Sequence, residues 1–152
     1  MNIENIMTKK IIIGKITNTI KEVSEIMKKY DIGFLPISDK NKIIGVITDR
    51  DIVVNALTNN CNSNDMIEKY INKNIIAIDI NKSINELLEI LKQKQIKRIL
   101  VTNNNKFVGI VSFSDLLNKN IDDKILIDCL NNMSEINKND DLLKTEIDEF
   151  YL

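Results

Sequence analysis

The sequence predicts an α+β fold: two β-α-β-β-α units in tandem, followed by a short C-terminal extension. Two observations carry this reading. The stretch Gly45-Val46-Ile47-Thr48-Asp49-Arg50-Asp51 recurs 64 positions on as Gly109-Ile110-Val111-Ser112-Phe113-Ser114-Asp115. Upstream the same offset holds without a gap, with fourteen identical pairs in the 43 positions from Lys9 to Asp51, Ile16/Ile80, Glu22/Glu86 and Ile32/Ile96 among them. Self-similarity in one register marks an internal duplication. Within each copy, moreover, helical and strand-like apolar patterns follow one another in the same order.

In chain order, Ile3, Ile6 and Met7 form a short apolar lead-in before a strand at Ile11-Ile12-Ile13. Thr19-Ile20-Lys21-Glu22 is a capping box, in which the Thr19 hydroxyl takes the Glu22 amide and Glu22 reaches back. Ser83-Ile84-Asn85-Glu86 repeats it. Downstream, Ile20, Val23, Met27 and Tyr30 fall at helical spacing, widened by Ile26; Ile84, Leu87, Leu88 and Leu91 do the same. Two apolar runs around a short polar turn then read as a β-hairpin in each copy. They are Phe34–Ile37 with Ile43–Ile47, and Arg98–Val101 with Phe107–Val111. Pro36 cannot donate to a ladder, so its strand should lie at an edge or turn that nitrogen outward. Helices follow from about Asp49 to Leu57 and from about Ser114 to Lys119.

The linker Thr58–Asn64 is polar, and Asp65 to Tyr70 mirrors the N-terminal lead-in, with Ile67 opposite Ile3. The expected division is therefore repeat 1 over 1–58, linker and repeat 2 over 59–120, and an extension over 121–152. In that extension Ile121 to Met133 reads as a helix with Ile125, Cys129 and Leu130 in register, and Ser134 to Asp141 is polar. Leu142, Leu143, Ile147, Phe150 and Tyr151 form a last apolar series. It would be a disordered end, a dimer-contact helix or a docking segment.

Composition narrows the function. A chain of 152 residues with 43% hydrophobic and 28% charged residues can bury a real core. A net charge of −1 argues against nucleic acid. No apolar run approaches the roughly 20 residues that span a bilayer. The start, Met1-Asn2-Ile3-Glu4-Asn5, lacks a secretion signal, so the expected location is cytoplasmic. There is no histidine, which removes the commonest general base and zinc ligand. Cys61 and Cys129 are far apart and read as packing or linker thiols. With no base, nucleophile or metal cluster beside the carboxylates, a hydrolase is a poor reading and no enzyme is expected.

Two β-α-β-β-α units, each closing with Gly, two apolar residues, Thr or Ser, and Asp three positions later, resemble a tandem pair of CBS domains, a Bateman module. The resemblance covers roughly Ile3 to Asn120 and implies a stand-alone CBS domain-containing protein. It implies two repeats related by a pseudo-twofold axis, with two clefts that take AMP, ADP, ATP or S-adenosylmethionine as regulatory ligand. It also implies a homodimer, and no required cofactor or metal. The residues themselves agree with a nucleotide. Thr48 and Ser112 sit where a strand turns into a helix, so a hydroxyl and backbone amides suit a phosphate. Asp51 and Asp115, one turn in, would accept from ribose hydroxyls, as acids do in dinucleotide folds. By resemblance Gly33, Phe34, Leu35 and Pro36, with Lys97, Arg98, Ile99 and Leu100 in the second copy, would offer backbone and apolar contact to adenine. Arg50, Lys97 and Arg98 would add charge toward phosphate.

The bland alternative for both motifs is a helix N-cap and nothing more. The copies also differ: Leu100 replaces Pro36, and Ser112-Phe113-Ser114 replaces Thr48-Asp49-Arg50. Phe113 is expected to pack rather than stack. Unequal clefts follow from those differences. The leading expectation is a regulatory ligand-sensing module signalling by conformational or oligomeric change, read by an unidentified protein partner or its own oligomer. The alternative is a structural or dimerisation module with vestigial clefts.

Overall fold

The structure is a computed structural model and describes residues 2–119, 121 and 123–134. The apolar series from Leu142 to Tyr151 lies outside the described residues, as does the polar stretch after Ser134. The chain divides into two compact units. One is Lys10–Ala77; the other joins the segment up to Lys9 with the chain from Ile78 onward.

In the first unit β1 (Gly14–Lys15), α1 (Ile20–Tyr30), β2 (Phe34–Asp39) and β3 (Lys42–Thr48) precede a helical run. That run starts as α2 (Asp49–Asp51), loosens to a π-helical turn over Ile52–Ala56 and tightens to a 3-10 turn over Leu57–Asn59. The sheet has the order β1-β2-β3, with β1 parallel and β3 antiparallel to β2. Lys40 and Asn41 both have positive φ, 43° and 66°, the two-residue turn whose twist matches its strands. The predicted strand at Ile11–Ile13 is corrected to Gly14–Lys15, where Gly14 opposes Ile37. The reason is space, since a Cβ at Gly14 would sit 2.8 Å from side-chain atoms of both Leu35 and Ile37. The three isoleucines are apolar enough for a strand but have no partner at that register, and Ile13 is 41% exposed.

Pro36 illustrates how a ladder accommodates proline. Its strand is central, yet Pro36 opposes Val46, whose amide and carbonyl both bond to Asn72 on the far side. The pair is therefore a non-hydrogen-bonded one, and the proline nitrogen faces away from β3, ahead of the first β1 pairing at Ile37. Leu35, Ile37 and Ile47 are fully buried together with Val23 and Ala56, under the α1 face formed by Ile20, Val23 and Met27. Tyr30 falls outside that face and is exposed, with the Lys29 ammonium 5.1 Å from its ring. The α1 capping box forms as expected, the Glu22 amide donating to Thr19 Oγ1 at 3.2 Å and the Thr19 amide to Glu22 Oε2 at 2.9 Å. Two further first-turn amides, of Ile20 and Lys21, donate to the carbonyls of Asp65 and Ser63. The polar linker thus closes the open end of α1.

The second unit repeats the plan with β4 (Ala77–Asp79), α3 (Ile84–Lys94), β5 (Arg98–Asn103), β6 (Lys106–Ser112) and α4 (Phe113–Leu117). Its sheet order is β4-β5-β6, and Asn104 and Asn105 supply the positive-φ turn. Leu87, Leu88 and Leu91 are the buried face of α3, and Phe113 is buried, as expected of a packing residue. A further helix, α5 (Asp123–Ser134), packs on α3. Its register differs from the expected one: Leu126 and Cys129 are buried while Ile125 and Leu130 are exposed. The side chains at 126 and 129 meet α3, with Lys92 Nζ reaching Asp128 Oδ2 at 2.6 Å.

The lead-ins are exchanged. Asn72, in the lead-in to the second repeat, bridges Val46 in β3; Thr8, its counterpart by the repeat, bridges Ile110 in β6. Ile67 is fully buried in the first unit's core, and Ile3 is its fully buried counterpart. Each sheet's outer strand is thereby covered by a segment that the sequence repeat assigns to the other copy, which protects an open edge.

Candidate functional site

Both motifs fold as capping boxes. The Thr48 amide and hydroxyl donate to Asp51 Oδ2 at 2.9 and 2.7 Å, and the Asp51 amide donates back to Thr48 Oγ1 at 3.1 Å. Ser112 and Asp115 do the same at 2.7, 2.7 and 3.2 Å, with Ser114 Oγ a further 2.8 Å from Ser112 Oγ. The local reason is the extended Thr48 and Ser112 backbone, which turns each side chain over the first helical amides. Both hydroxyls are engaged in their boxes, so a ligand phosphate would meet them only by replacing the carboxylate. Asp51 keeps Oδ1, which accepts from Asn55 Nδ2 at 3.3 Å.

A cleft of about 380 Å³ opens beside Asp51 in the first unit, lined also by Asn55, Asn59, Lys69, Tyr70, Ile71 and Asn72. One wall is the helical run after β3. The other is the lead-in, held in place by the bridge to Val46, where the Asn72 amide donates at 2.8 Å and its carbonyl accepts at 3.0 Å. Among the described residues the Lys69 ammonium has no ion pair and the Tyr70 hydroxyl no hydrogen bond. The cleft therefore offers a carboxylate acceptor, an uncommitted cation, an aromatic ring and three amide side chains.

Of the residues expected at this site, only Asp51 lines the cleft. Gly33 accepts the Asp49 amide on its carbonyl at 3.1 Å and packs against the Asp49 carboxylate, where a Cβ would lie 2.5 Å from Oδ2. Phe34 opposes Thr48 and is half-buried, whereas Leu35 and Pro36 are buried, with Leu35 in the core. Arg50 is exposed, its amide donating to Asp49 Oδ1 at 2.8 Å. In the second unit Lys97 and Arg98 are exposed, the Lys97 carbonyl accepts the Phe113 amide at 2.8 Å, and Ile99 and Leu100 are buried. Lys69, Tyr70 and Asn72 were missed because the repeat places them with the second copy. The signal available was Gly45, whose lack of a side chain admits the Asn72 carbonyl; an added Cβ would be 2.8 Å from it.

A larger concavity, about 500 Å³, lies between α3 and α5, lined by Asn85, Leu88, Glu89, Lys124, Ile125 and Asp128. It contains no residue of either doubled motif, so the smaller cleft is the better candidate on chemistry. Among the described residues no group of three His, Cys, Asp or Glu could hold a metal ion. No helix of the described residues is long and apolar enough to cross a membrane.

Known proteins share this fold. The CBS domain family matches twice, over residues 3–57 and 67–122. The CBS domain-containing protein YhcV of Bacillus subtilis is 24% identical over 136 residues, 90% of this chain and 97% of that protein. Hypoxic response protein 1 of Mycobacterium tuberculosis is 33% identical over 100 residues, 64% of this chain and 70% of that protein. Among solved structures, the CBS domain pair of protein MJ0100, in complex with 5′-methylthioadenosine and S-adenosyl-L-methionine, superposes with a TM-score of 0.69 at 27% identity. That superposition covers 77% of this chain and 97% of the pair. Two β-α-β-β-α repeats in one register, each closed by the same capped turn, together with this double match, place the chain in the CBS domain family.

Proposed function

We propose that this protein is a regulatory, non-catalytic module that senses an adenosine-containing metabolite in the cleft beside Asp51. The observation that carries the reading is the cleft's mixed chemistry. A carboxylate suits vicinal ribose hydroxyls, a tyrosine face suits a base, and an uncommitted lysine suits a phosphate or carboxylate. The likeness to a CBS pair complexed with 5′-methylthioadenosine and S-adenosyl-L-methionine supports the same ligand class. AMP, ADP, ATP and S-adenosylmethionine are the candidates. Thr48, Arg50 and the Gly33–Pro36 backbone lie outside the cleft's lining and would complete the first site only by turning toward a bound ligand, and Ser112, Asp115, Lys97, Arg98, Ile99 and Leu100 would form a weaker second one.

A ligand spanning the cleft ties the helical run after β3 to Lys69–Asn72, which leads directly into β4. Occupancy is then signalled by a conformational or oligomeric change, provided the ligand prefers one state. We place the protein in the cytoplasm as a homodimer. The exposed Val53, Val54 and Leu57 on the helical run, at 57%, 44% and 56%, support a self-contact there. The same exposed face, with both motif hydroxyls engaged in caps, favours a second reading: a dimerisation module without a ligand.

A thermal-shift panel of AMP, ADP, ATP and S-adenosylmethionine separates the two. A ligand at 100 times its Kd stabilises the fold by about 2.7 kcal/mol, and Asp51→Asn should abolish that shift. No shift with any of the four leaves the dimerisation reading.

A further inference from the structure

The repeat register carries each wall of the cleft to a counterpart in the second unit, and the counterparts are not equivalent. Asp51 becomes Asp115, but Asn55 becomes Lys119, Lys69 becomes Asn5 and Tyr70 becomes Ile6. Ile6 is 5% exposed and belongs to the core, so it presents no ring and almost no surface. The Asn5 side chain is committed to the turn it caps, its Oδ1 accepting the Asn2 amide at 3.2 Å. The nearest cation of that lead-in, Lys9, is paired with Glu4 at 2.9 Å. The first unit's lead-in thus brings an aromatic face and an uncommitted ammonium to its cleft, while the second unit's lead-in brings neither, its cation standing instead at Lys119 just past α4.

We infer that the two repeats have diverged, so that each chain binds one adenosine-containing ligand tightly, in the cleft completed by Lys69 and Tyr70. This rests on the sensing function proposed above. Tyr70 reads the base and Lys69 the anionic group, both from a segment that is ordered through the Val46–Asn72 bridge rather than through its own repeat. Asp115 and its capping box then serve the second unit's fold.

Calorimetric titration of the full chain with adenosine and with ATP tests the division. The expected result is one mole of ATP per mole of chain. Tyr70→Leu, which keeps apolar bulk at a half-buried position, should weaken adenosine and ATP alike by about tenfold, the scale of one base–aromatic stack. Lys69→Asn, which installs the residue found at position 5, should weaken ATP roughly two- to fivefold and leave adenosine unchanged, as befits a partly screened charge contact. Lys69 is exposed, so the unliganded melting point of that variant should not move. Two equal sites per chain, or full ATP affinity in both variants, overturns the one-site inference while leaving sensing intact. The absence of any binding by the wild-type chain overturns both.

Discussion

Asn72 and Val46 exchange both of their backbone hydrogen bonds, at 2.8 and 3.0 Å, and Thr8 and Ile110 repeat the exchange at 2.8 and 3.1 Å. Each bridge requires close approach beside a glycine. At Gly45 an added Cβ would lie 2.8 Å from the Asn72 carbonyl oxygen, a backbone atom with no rotamer to change. At Gly109 the nearest atom is Met7 Sδ at 2.7 Å, the flexible part of a side chain, with the Thr8 carbonyl oxygen at 3.2 Å. Gly45→Ala should therefore cost more than Gly109→Ala. The first should fall in the range of about 1–3 kcal/mol typical of overpacking, the second below it. Urea denaturation of the two variants measures the difference, and equal losses would mean that the bridges do not set the spacing.

The α3 capping box gives a pH signature. The Lys82 ammonium, followed by the Ser83 amide, holds the Glu86 carboxyl down from 4.5 to about 2. A carboxyl depressed on folding stabilises the native state fully above its unfolded value. That contribution is lost as pH falls from about 4.5 through about 2. Glu86→Gln should thus lower the melting temperature at neutral pH, and its deficit should shrink as pH drops through that window. Paired thermal melts of wild type and variant across the window check the sign. A deficit that stays constant would show that the ionised form is not what the box uses.

How much of this was legible follows from which forces are local. Capping boxes, helices and hairpins are written in spacings of two to four residues, and Thr19, Ser83, Thr48 and Ser112 all cap where the spacing puts them. The doubled register made the two-unit plan equally plain. Three features were hidden for one reason, that they depend on partners distant in sequence. The first strand is Gly14–Lys15 because of Leu35 and Ile37, although the isoleucine run before it looks more strand-like. The lead-ins pair with the sheets opposite to their repeat assignment, which no periodicity encodes. The cleft inherits that blindness, so Asp51 was found from its motif while Lys69 and Tyr70 were not.

The two thiols should react on different timescales. Cys129 is 2% exposed, its Sγ lies 3.9 Å from the Leu88 carbonyl oxygen, and burial pushes its thiol up. Cys61 is half-buried in the linker. A chromogenic disulfide reagent at pH 8 should modify Cys61 first, with Cys129 following only as α5 detaches or the protein unfolds. Cys61→Ser and Cys129→Ser variants assign the two phases. Fast reaction of Cys129 in the folded Cys61→Ser protein would mean that α5 does not cover it.

The hold of α5 on α3 divides unequally between its apolar and ionic contacts. Leu126 is 3% exposed and packs together with Cys129 on the α3 side of the helix. The Lys92–Asp128 pair is short, 2.6 Å, but Asp128 keeps 60% of its side-chain surface in water. An ion pair so hydrated contributes little, because water and salt screen it. Removing a buried leucine side chain to Cβ typically costs about 2–5 kcal/mol. Leu126→Ala should accordingly lower stability several times more than Lys92→Met, and should release α5 amides to hydrogen exchange before the sheets open. Lys92→Met should leave that exchange pattern unchanged, and a drop in sodium chloride concentration should widen its small deficit as screening weakens. If the charge variant proves the more damaging of the two, α5 is held by its ion pair and its packing against α3 is incidental.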